Sequence, residues 1–276
     1  MKRPLVSVIV PTYNEEKNIQ KCLISLKNQT YRNIEVIVVD SLKSKDKTFR
    51  IAKKYSQAFK FGIERSEQRN YGVKKSQGQY LLFVDADMRL YKNVIRECVE
   101  KIYDGCFSVI IPEVSIGKGF WAKCKVLEKR TYMGDDLIEA PRFFIKKIYL
   151  KLGGYNDKMV SGEDWDLGRR FRKEGNVGRV KSLIIHNEGR LTLIADLKKK
   201  LYYAKMADSY LKESEIGTKD VIKFIFRPAY IRNWKMFLSD PLHTLGLFIM
   251  KIMEMLVGGF GAIIYKKSFW MKFKHN

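Results

Sequence analysis

Residues 80–87, Tyr80-Leu-Leu-Phe-Val-Asp-Ala-Asp87, close an uninterrupted apolar run with two carboxylates two positions apart. Side chains alternate along a strand, so Asp85 and Asp87 point the same way if the strand continues, and a break at Ala86 lets both converge. Two hard oxygens at the lip of a buried sheet suit Mg²⁺ or Mn²⁺ carrying a diphosphate. The same pair can also be an ordinary solvated turn, so its meaning rests on what surrounds it.

Working outward, short β-rich runs near 5–10, 34–39, 79–84 and 107–112 alternate with helical periodicity near 15–28, 46–56, 66–76 and 91–104. That alternation predicts βαβ units around a mainly parallel sheet flanked by helices. Ile19, Cys22, Leu23 and Leu26 form one apolar stripe of the first helix, with Lys17, Lys21 and Lys27 outside it. Ile34-Glu-Val-Ile-Val-Val-Asp40 is nearly continuous in β-branched residues, as a strand covered on both faces must be. In such sheets ligands gather at the carboxyl ends of the strands, where Pro11 to Glu15, Asp40 and Asp85 to Asp87 all fall.

A chain of 276 residues with 46% hydrophobic content can bury one α/β core plus an appendage. Its net charge of +23 calls for a polyanionic neighbour: nucleic acid, anionic lipid or a phosphorylated substrate. No helix-turn-helix, zinc-finger or RNA-recognition signature is present, which argues against nucleic acid. The four cysteines lack paired metal-ligand spacing and are expected as free thiols in a reducing compartment. Met1 to Val10 reads as a first strand rather than a signal peptide, because Pro11, Asn14, Glu15 and Glu16 follow at once.

Ser7-Val-Ile-Val-Pro-Thr-Tyr-Asn-Glu15 is a strand feeding a tight turn into a helix. Pro11 is expected to end the ladder, Asn14 to cap, and Glu15 and Glu16 to sit at the positive helix end. Residues 7–15, Asp40 with Ser44-Lys-Asp-Lys-Thr48, the Arg69-Asn-Tyr-Gly72 and Gly78 run, and Phe83-Val-Asp-Ala-Asp87 together resemble family 2 glycosyltransferases of the GT-A, Rossmann-like fold. The resemblance implies that Pro11, Tyr13, Glu15, Asp40, Arg69 and Asp85 hold a UDP- or GDP-sugar, with Arg69 near the diphosphate. It implies a divalent cation, Mn²⁺ or Mg²⁺, facing Asp85 and Asp87, with Asp87 the direct ligand. Asp40 is followed by Ser41 where many relatives carry a second acid, which leaves base and ribose preference open.

Gly162 precedes an acidic start and an apolar stripe of Trp165, Leu167 and Phe171, placing Glu163 and Asp164 at a helix N-terminus where a carboxylate stays ionised. In the resemblance this pair carries catalysis: Asp164 as general base, Glu163 positioning acceptor or base. Helix capping is the plainer alternative. His186, after the strand-like Leu183-Ile-Ile185, matches a histidine that touches diphosphate or metal in relatives. An inverting hexosyl transfer to a hydroxyl, on a lipid-linked or envelope-glycan acceptor, is the implied reaction. A dolichol- or polyprenyl-phosphate sugar synthase is an alternative acceptor class. A non-catalytic nucleotide-sugar-binding or membrane-binding relative is the competing class, and a nucleotidyltransferase a third.

Residues 1–190 are therefore expected to be a GT-A catalytic domain and 191–276 a basic, apolar, helical appendage. Val221 to Leu238 is aromatic and basic; Leu242 to Tyr265 is almost wholly apolar, and Lys266, Lys267, Lys272 and Lys274 follow. Lys251 and Glu254 near the middle of that apolar stretch would each cost roughly 2.5–3.5 kcal/mol at a bilayer centre. An in-plane or shallowly inserted helix fits better, with His243, Leu247, Lys251, Glu254 and Gly258 on one face. The expected location is the cytoplasmic face of an anionic membrane. A helix buried in the catalytic core is the alternative.

Overall fold

β1 (Val6–Thr12) is buried along its whole length because it has a hydrogen-bonded strand on each side. Its neighbours are β2 (Ile34–Asp40) and β4 (Tyr80–Phe83), both parallel to it, in registers that pair Val8 with Val36 and with Leu82. Beyond them lie β3 (Gln57–Lys60), β6 (Ser108–Ile110), β8 (Phe143–Ile145) and β9 (Val177–Arg179), giving the order β3-β2-β1-β4-β8-β6-β9. Only β8 runs antiparallel, wedged between β4 and β6. The sheet is mainly parallel and flanked by helices, the GT-A arrangement.

This is a computed structural model describing residues 3–136, 138–159, 161–205 and 228–273. Two compact units emerge, one of Met1–Val114, Asp136–Asp157 and Glu163–Asn187, the other of Ser115–Asp135, Lys158–Gly162 and Glu188–Asn276. Residues 115–135 thus group with the C-terminal part, through contacts that no local pattern announces.

In the first unit, α1 (Ile19–Lys27) buries Ile19, Cys22, Leu23 and Leu26, the stripe its spacing predicts. α4 (Val94–Tyr103) buries Val94, Ile95, Cys98, Val99 and Ile102 in the same core. α3 (Arg65–Lys75) lies close on β1: a Cβ on Gly72 would come within 2.5 Å of Ile9 Cγ2. That approach, possible only without a side chain, fixes where Arg69, one turn earlier, enters the interior. Cys22, Cys98 and Cys124 are buried free thiols and Cys106 is half-buried.

Two local expectations are corrected. Pro11 does not end the ladder, since β1 continues to Thr12 opposite Asp40 on β2. Its pairing with β4 has already stopped at Ile9, so a residue without an N–H is tolerated there. Asn14 does not cap α1, which starts at Ile19; it takes a left-handed φ of 54° in the turn, a conformation asparagine tolerates.

A second sheet, β5 (Met88–Leu90), β10 (Ile184–Arg190) and β7 (Glu113–Lys118), is ordered β5-β10-β7. β10 pairs antiparallel with β5, His186 opposite Met88. The second unit contains α5 (Phe120–Arg130), α8 (Leu193–Lys205), two short helices, Pro228–Arg232 and Trp234–Ser239, and a long helix, Pro241–Phe273. Residues 221–227 and Lys274 lie outside the described residues, and the side chains of the long helix are described only as far as Gly258, so Lys266, Lys267 and Lys272 are not placed.

Candidate active site

The carboxyl ends of β1, β2 and β4 form one edge of the first unit. At β2, Asp40 is fully buried; Thr12 Oγ1 and Ser44 Oγ donate to its Oδ1 at 2.8 and 2.7 Å. Its Oδ2 has no hydrogen-bond partner, and the ammonium of Lys60 stands 3.7 Å away. The turn after β1 is knitted to the 44–48 loop: the Asn14 and Glu15 amides donate to Ser44 Oγ and Thr48 Oγ1 at 3.2 and 2.7 Å. Two motifs thirty residues apart in sequence therefore make one wall. Tyr13 projects from it, more than half exposed.

Glu15 is held up to about 7 by burial, against the opposing bond from Asn18, with the charges of Asp87, Asp85 and Asp46 adding to the rise. Burial sets the rise, and the neighbouring acids add to it.

β4 ends at Phe83, and a turn at 86–87 separates Asp85 from Asp87. The two carboxylates accordingly take different partners. Asp85 accepts from Arg69 at 3.0 Å and from Arg142 at 3.4 Å. Burial alone would raise its carboxyl, but Arg69 foremost, with Arg142, Arg65 and His186, holds it far below the usual carboxylate range. Asp87 Oδ2 lies 3.2 Å from His186 Nε2, while its Oδ1 is buried with no hydrogen-bond partner. His186 Nδ1 lies 3.3 Å from Glu113 Oε2, and Arg142 Nε donates to Glu113 Oε1 at 2.6 Å.

A buried carboxylate oxygen without a partner, beside an imidazole whose far nitrogen faces a second carboxylate, is the donor set a divalent cation takes, with that second carboxylate orienting the imidazole. Among the described residues no group of three His, Cys, Asp or Glu converges on such an ion. Asp87 and His186 would supply two ligands, leaving the remainder to phosphate oxygens and water, as suits Mg²⁺.

Arg69 is held by three carboxylates on the protein side. Its side chain is fully enclosed, and its guanidinium donates to Asp85, Glu163 and Asp164 at 3.0, 3.2 and 3.0 Å. It also stacks over Tyr155, 4.8 Å from the ring centre. Burial would lower its pKa; Asp164 first, then Tyr155, Asp85 and Glu163, raise it well above normal. Glu163 and Asp164 open α7 (Glu163–Glu174), where the Tyr155 hydroxyl donates to Asp164 Oδ1 at 3.0 Å. Burial, then the Asp164 charge, raises Glu163, with Arg65 and Arg69 opposing.

Sequence reading missed Lys60, Glu113 and Arg142. Arg142 and Glu113 belong to no motif; antiparallel β8 carries Arg142 to Asp85, and only the topology shows it. Lys60 had a weak signal: it closes β3 as Asp40 closes β2, and the two pair across the strands.

These elements define a Rossmann-like α/β unit with an acid-lined ligand edge. The chain belongs to glycosyl transferase family 2, whose sequence profile matches residues 7–156. It is 40% identical over 109 residues to glycosyltransferase AglE of Haloferax volcanii, covering 36% of each chain. To the poly(ribitol-phosphate) β-N-acetylglucosaminyltransferase TarS of Staphylococcus aureus it is 37% identical over 101 residues, 33% of this chain and 18% of TarS. These alignments cover only about a third or less of both relatives. A crystal structure of S. aureus TarS 1–349 with UDP superposes with a TM-score of 0.55 at 17% identity, covering 95% of this chain and 91% of that one. The mannosyltransferase PcManGT of Pyrobaculum calidifontis, solved with GDP-Man and Mn²⁺, gives 0.56 at 18% identity over 91% and 74%. At these identities the structures speak for the fold.

Proposed function

We propose that the protein is an inverting glycosyltransferase moving a hexosyl group from a UDP- or GDP-sugar to a hydroxyl. Residues 1–190 would be its catalytic domain, and 191–276 would hold it at the cytoplasmic face of a membrane, near a lipid-linked or envelope-glycan acceptor. The observation that carries the reading is the bridge made by Arg69 between Asp85, at the donor edge, and Asp164, at the start of α7. Nucleotide-sugar complexes of TarS and PcManGT support the donor class.

Asp40 would accept the imide or amide N–H of the base through its unpartnered Oδ2, with the Lys60 ammonium beside it. Tyr13, exposed at the turn, offers a stacking face, and Pro11 and Glu15 shape the same wall. Asp87 and His186 would hold Mn²⁺ or Mg²⁺, which supplies charge neutralisation for the departing diphosphate. Asp85, paired with two arginines, sets the local field rather than offering a free ligand oxygen.

Asp164 takes the proton of the acceptor hydroxyl. Arg69 and Tyr155 both bond its Oδ1, leaving Oδ2 to accept, and a side chain about 31% exposed can reach an acceptor. The freed oxygen attacks the anomeric carbon opposite the leaving phosphate, the sugar–phosphate bond breaks, and one displacement inverts the centre. Glu163 positions Arg69 and hence the base.

Incubation with UDP- and GDP-sugars tests this reading, with nucleoside diphosphate and the product anomer followed by NMR. Release of pyrophosphate, or retention at the anomeric carbon, would sink it.

A further inference from the structure

Over its described side chains, residues 241–258, the helix Pro241–Phe273 turns a broad apolar face outward. Leu247 and Met250 are buried on its inner face. The same face carries Lys251 and Glu254, and their charges are met within the second unit. Lys251 Nζ lies 2.6 Å from Glu128 and 2.8 Å from Glu254. Lys125 reaches the same two glutamates at 2.9 and 3.5 Å, and Lys200 reaches Glu254 at 3.4 Å. The opposite face, Leu242, Leu245, Phe248, Ile249, Ile252 and Met255, stands 42 to 66% exposed. Trp234 and Leu238, 53 and 67% exposed, extend the apolar surface through the preceding helix.

Six large apolar side chains at helical spacing form a contiguous stripe, far beyond the single exposed hydrophobics of ordinary surfaces. Lys251 and Glu254, which would oppose insertion, lie on the opposite side from this stripe and are met by α5 and α8.

Among the described residues of the same unit, the fully exposed charges are basic. Among its described residues, Glu128, Asp135, Asp196 and Glu254 are buried. Glu188 and Asp240 are half-buried and paired with Lys129 and His243. Lys125, Lys200 and Lys251 meet the buried acids, while Lys118, Lys123, Arg190, Lys198, Lys199 and Lys235 are exposed. Among the described residues, the unit therefore exposes apolar and cationic groups while Glu128, Asp135, Asp196 and Glu254 are withdrawn. A second copy of the chain would meet like charge at such a surface; a bilayer with anionic headgroups is complementary to both components.

We infer that the outer face of residues 234–256 is a lipid-binding surface selective for anionic headgroups, lying in the interface plane, with the Lys125–Glu128–Lys251–Glu254 cluster holding the helix in that rotation. This builds on the membrane placement proposed above and names the surface and lipid class responsible.

Flotation of the full chain with phosphatidylcholine vesicles, with and without phosphatidylserine, tests it. The protein should float with the anionic vesicles, bind at least roughly tenfold less to neutral ones, and release as salt rises. The triple variant Leu245→Ser, Phe248→Ser, Ile252→Ser changes only exposed positions and should lose about a hundredfold or more in binding, with its circular dichroism unchanged. Protection by nucleotide sugars against thermal unfolding should be equal in both proteins, so failure here is distinct from failure of the glycosyl-transfer reading. Wild-type protein that ignores anionic vesicles, a variant that floats as well as wild type, or equal binding to neutral vesicles would each overturn the inference. So would a wild-type dimer that the variant converts to monomer without lipid, since the face would then be a self-interface.

Discussion

Arg69 and Asp164 are joined at 3.0 Å although 95 positions apart in sequence, and the arginine is fully enclosed. The same guanidinium holds Asp85 and Glu163, so removing it takes from three carboxylates the cation they share. Arg69→Met should destabilise the fold by roughly 3–5 kcal/mol, the loss expected when one partner of a buried ion pair is removed. Arg69→Lys keeps the charge without the planar fork and should recover only part of that. Urea unfolding measures both, and a wild-type midpoint in Arg69→Met would refute the arrangement.

Asp164→Asn retains the shape at the start of α7 but not the basicity. Turnover should drop by roughly 10²–10⁴ while the dissociation constant for the nucleotide sugar stays within error. Loss of donor affinity with turnover preserved would make Asp164 a positioning residue instead.

Asp87→Ala and His186→Gln should each abolish Mn²⁺-dependent binding of a nucleoside diphosphate, read by titration calorimetry. Both should leave the fold intact, because neither side chain belongs to the apolar core. Undiminished Mn²⁺ dependence in either variant would remove that residue from the site.

Glu113 faces His186 Nδ1 at 3.3 Å and should act through that imidazole. Glu113→Gln is expected to lower Mn²⁺ affinity by roughly 10–100-fold, the usual effect of losing an outer-shell carboxylate. The ¹⁵N spectrum of the imidazoles should also shift its tautomer balance without metal; the chain has only three histidines, which makes assignment direct. An unchanged spectrum would leave Glu113 a purely structural partner of Arg142.

Glu15 supplies a pH signature. Its folded-state pKa is raised from 4.5 to about 7, chiefly by burial, so the protonated carboxyl favours the fold. That stability is fully present below the unfolded value and is lost as pH rises through about 7. The melting temperature of wild type relative to Glu15→Gln should therefore fall between pH 4.5 and 7; a constant difference across that window would show that the carboxyl is not desolvated.

Where the sequence sufficed, a local period carried the signal. The stripe of α1, the β-branched run of β2 and the apolar run into Asp85 reach the core in the order their spacing implies, because alternation and 3.6-residue periodicity depend only on near neighbours. The strand-end positions of Asp40, Asp85 and Asp87 follow from the same rules, and so does the polar stripe of the 241–258 helix. Tertiary structure alone decided what these residues touch. Asp85 meets Arg142 because β8 enters the sheet antiparallel beside β4, and His186 meets Asp87 because β10 lies against β5. The polar stripe turns inward because Lys125, Glu128 and Lys200 wait there on other helices. In each case the partners lie far apart along the chain, and a desolvated charge is stable only where the completed fold brings it an opposite one.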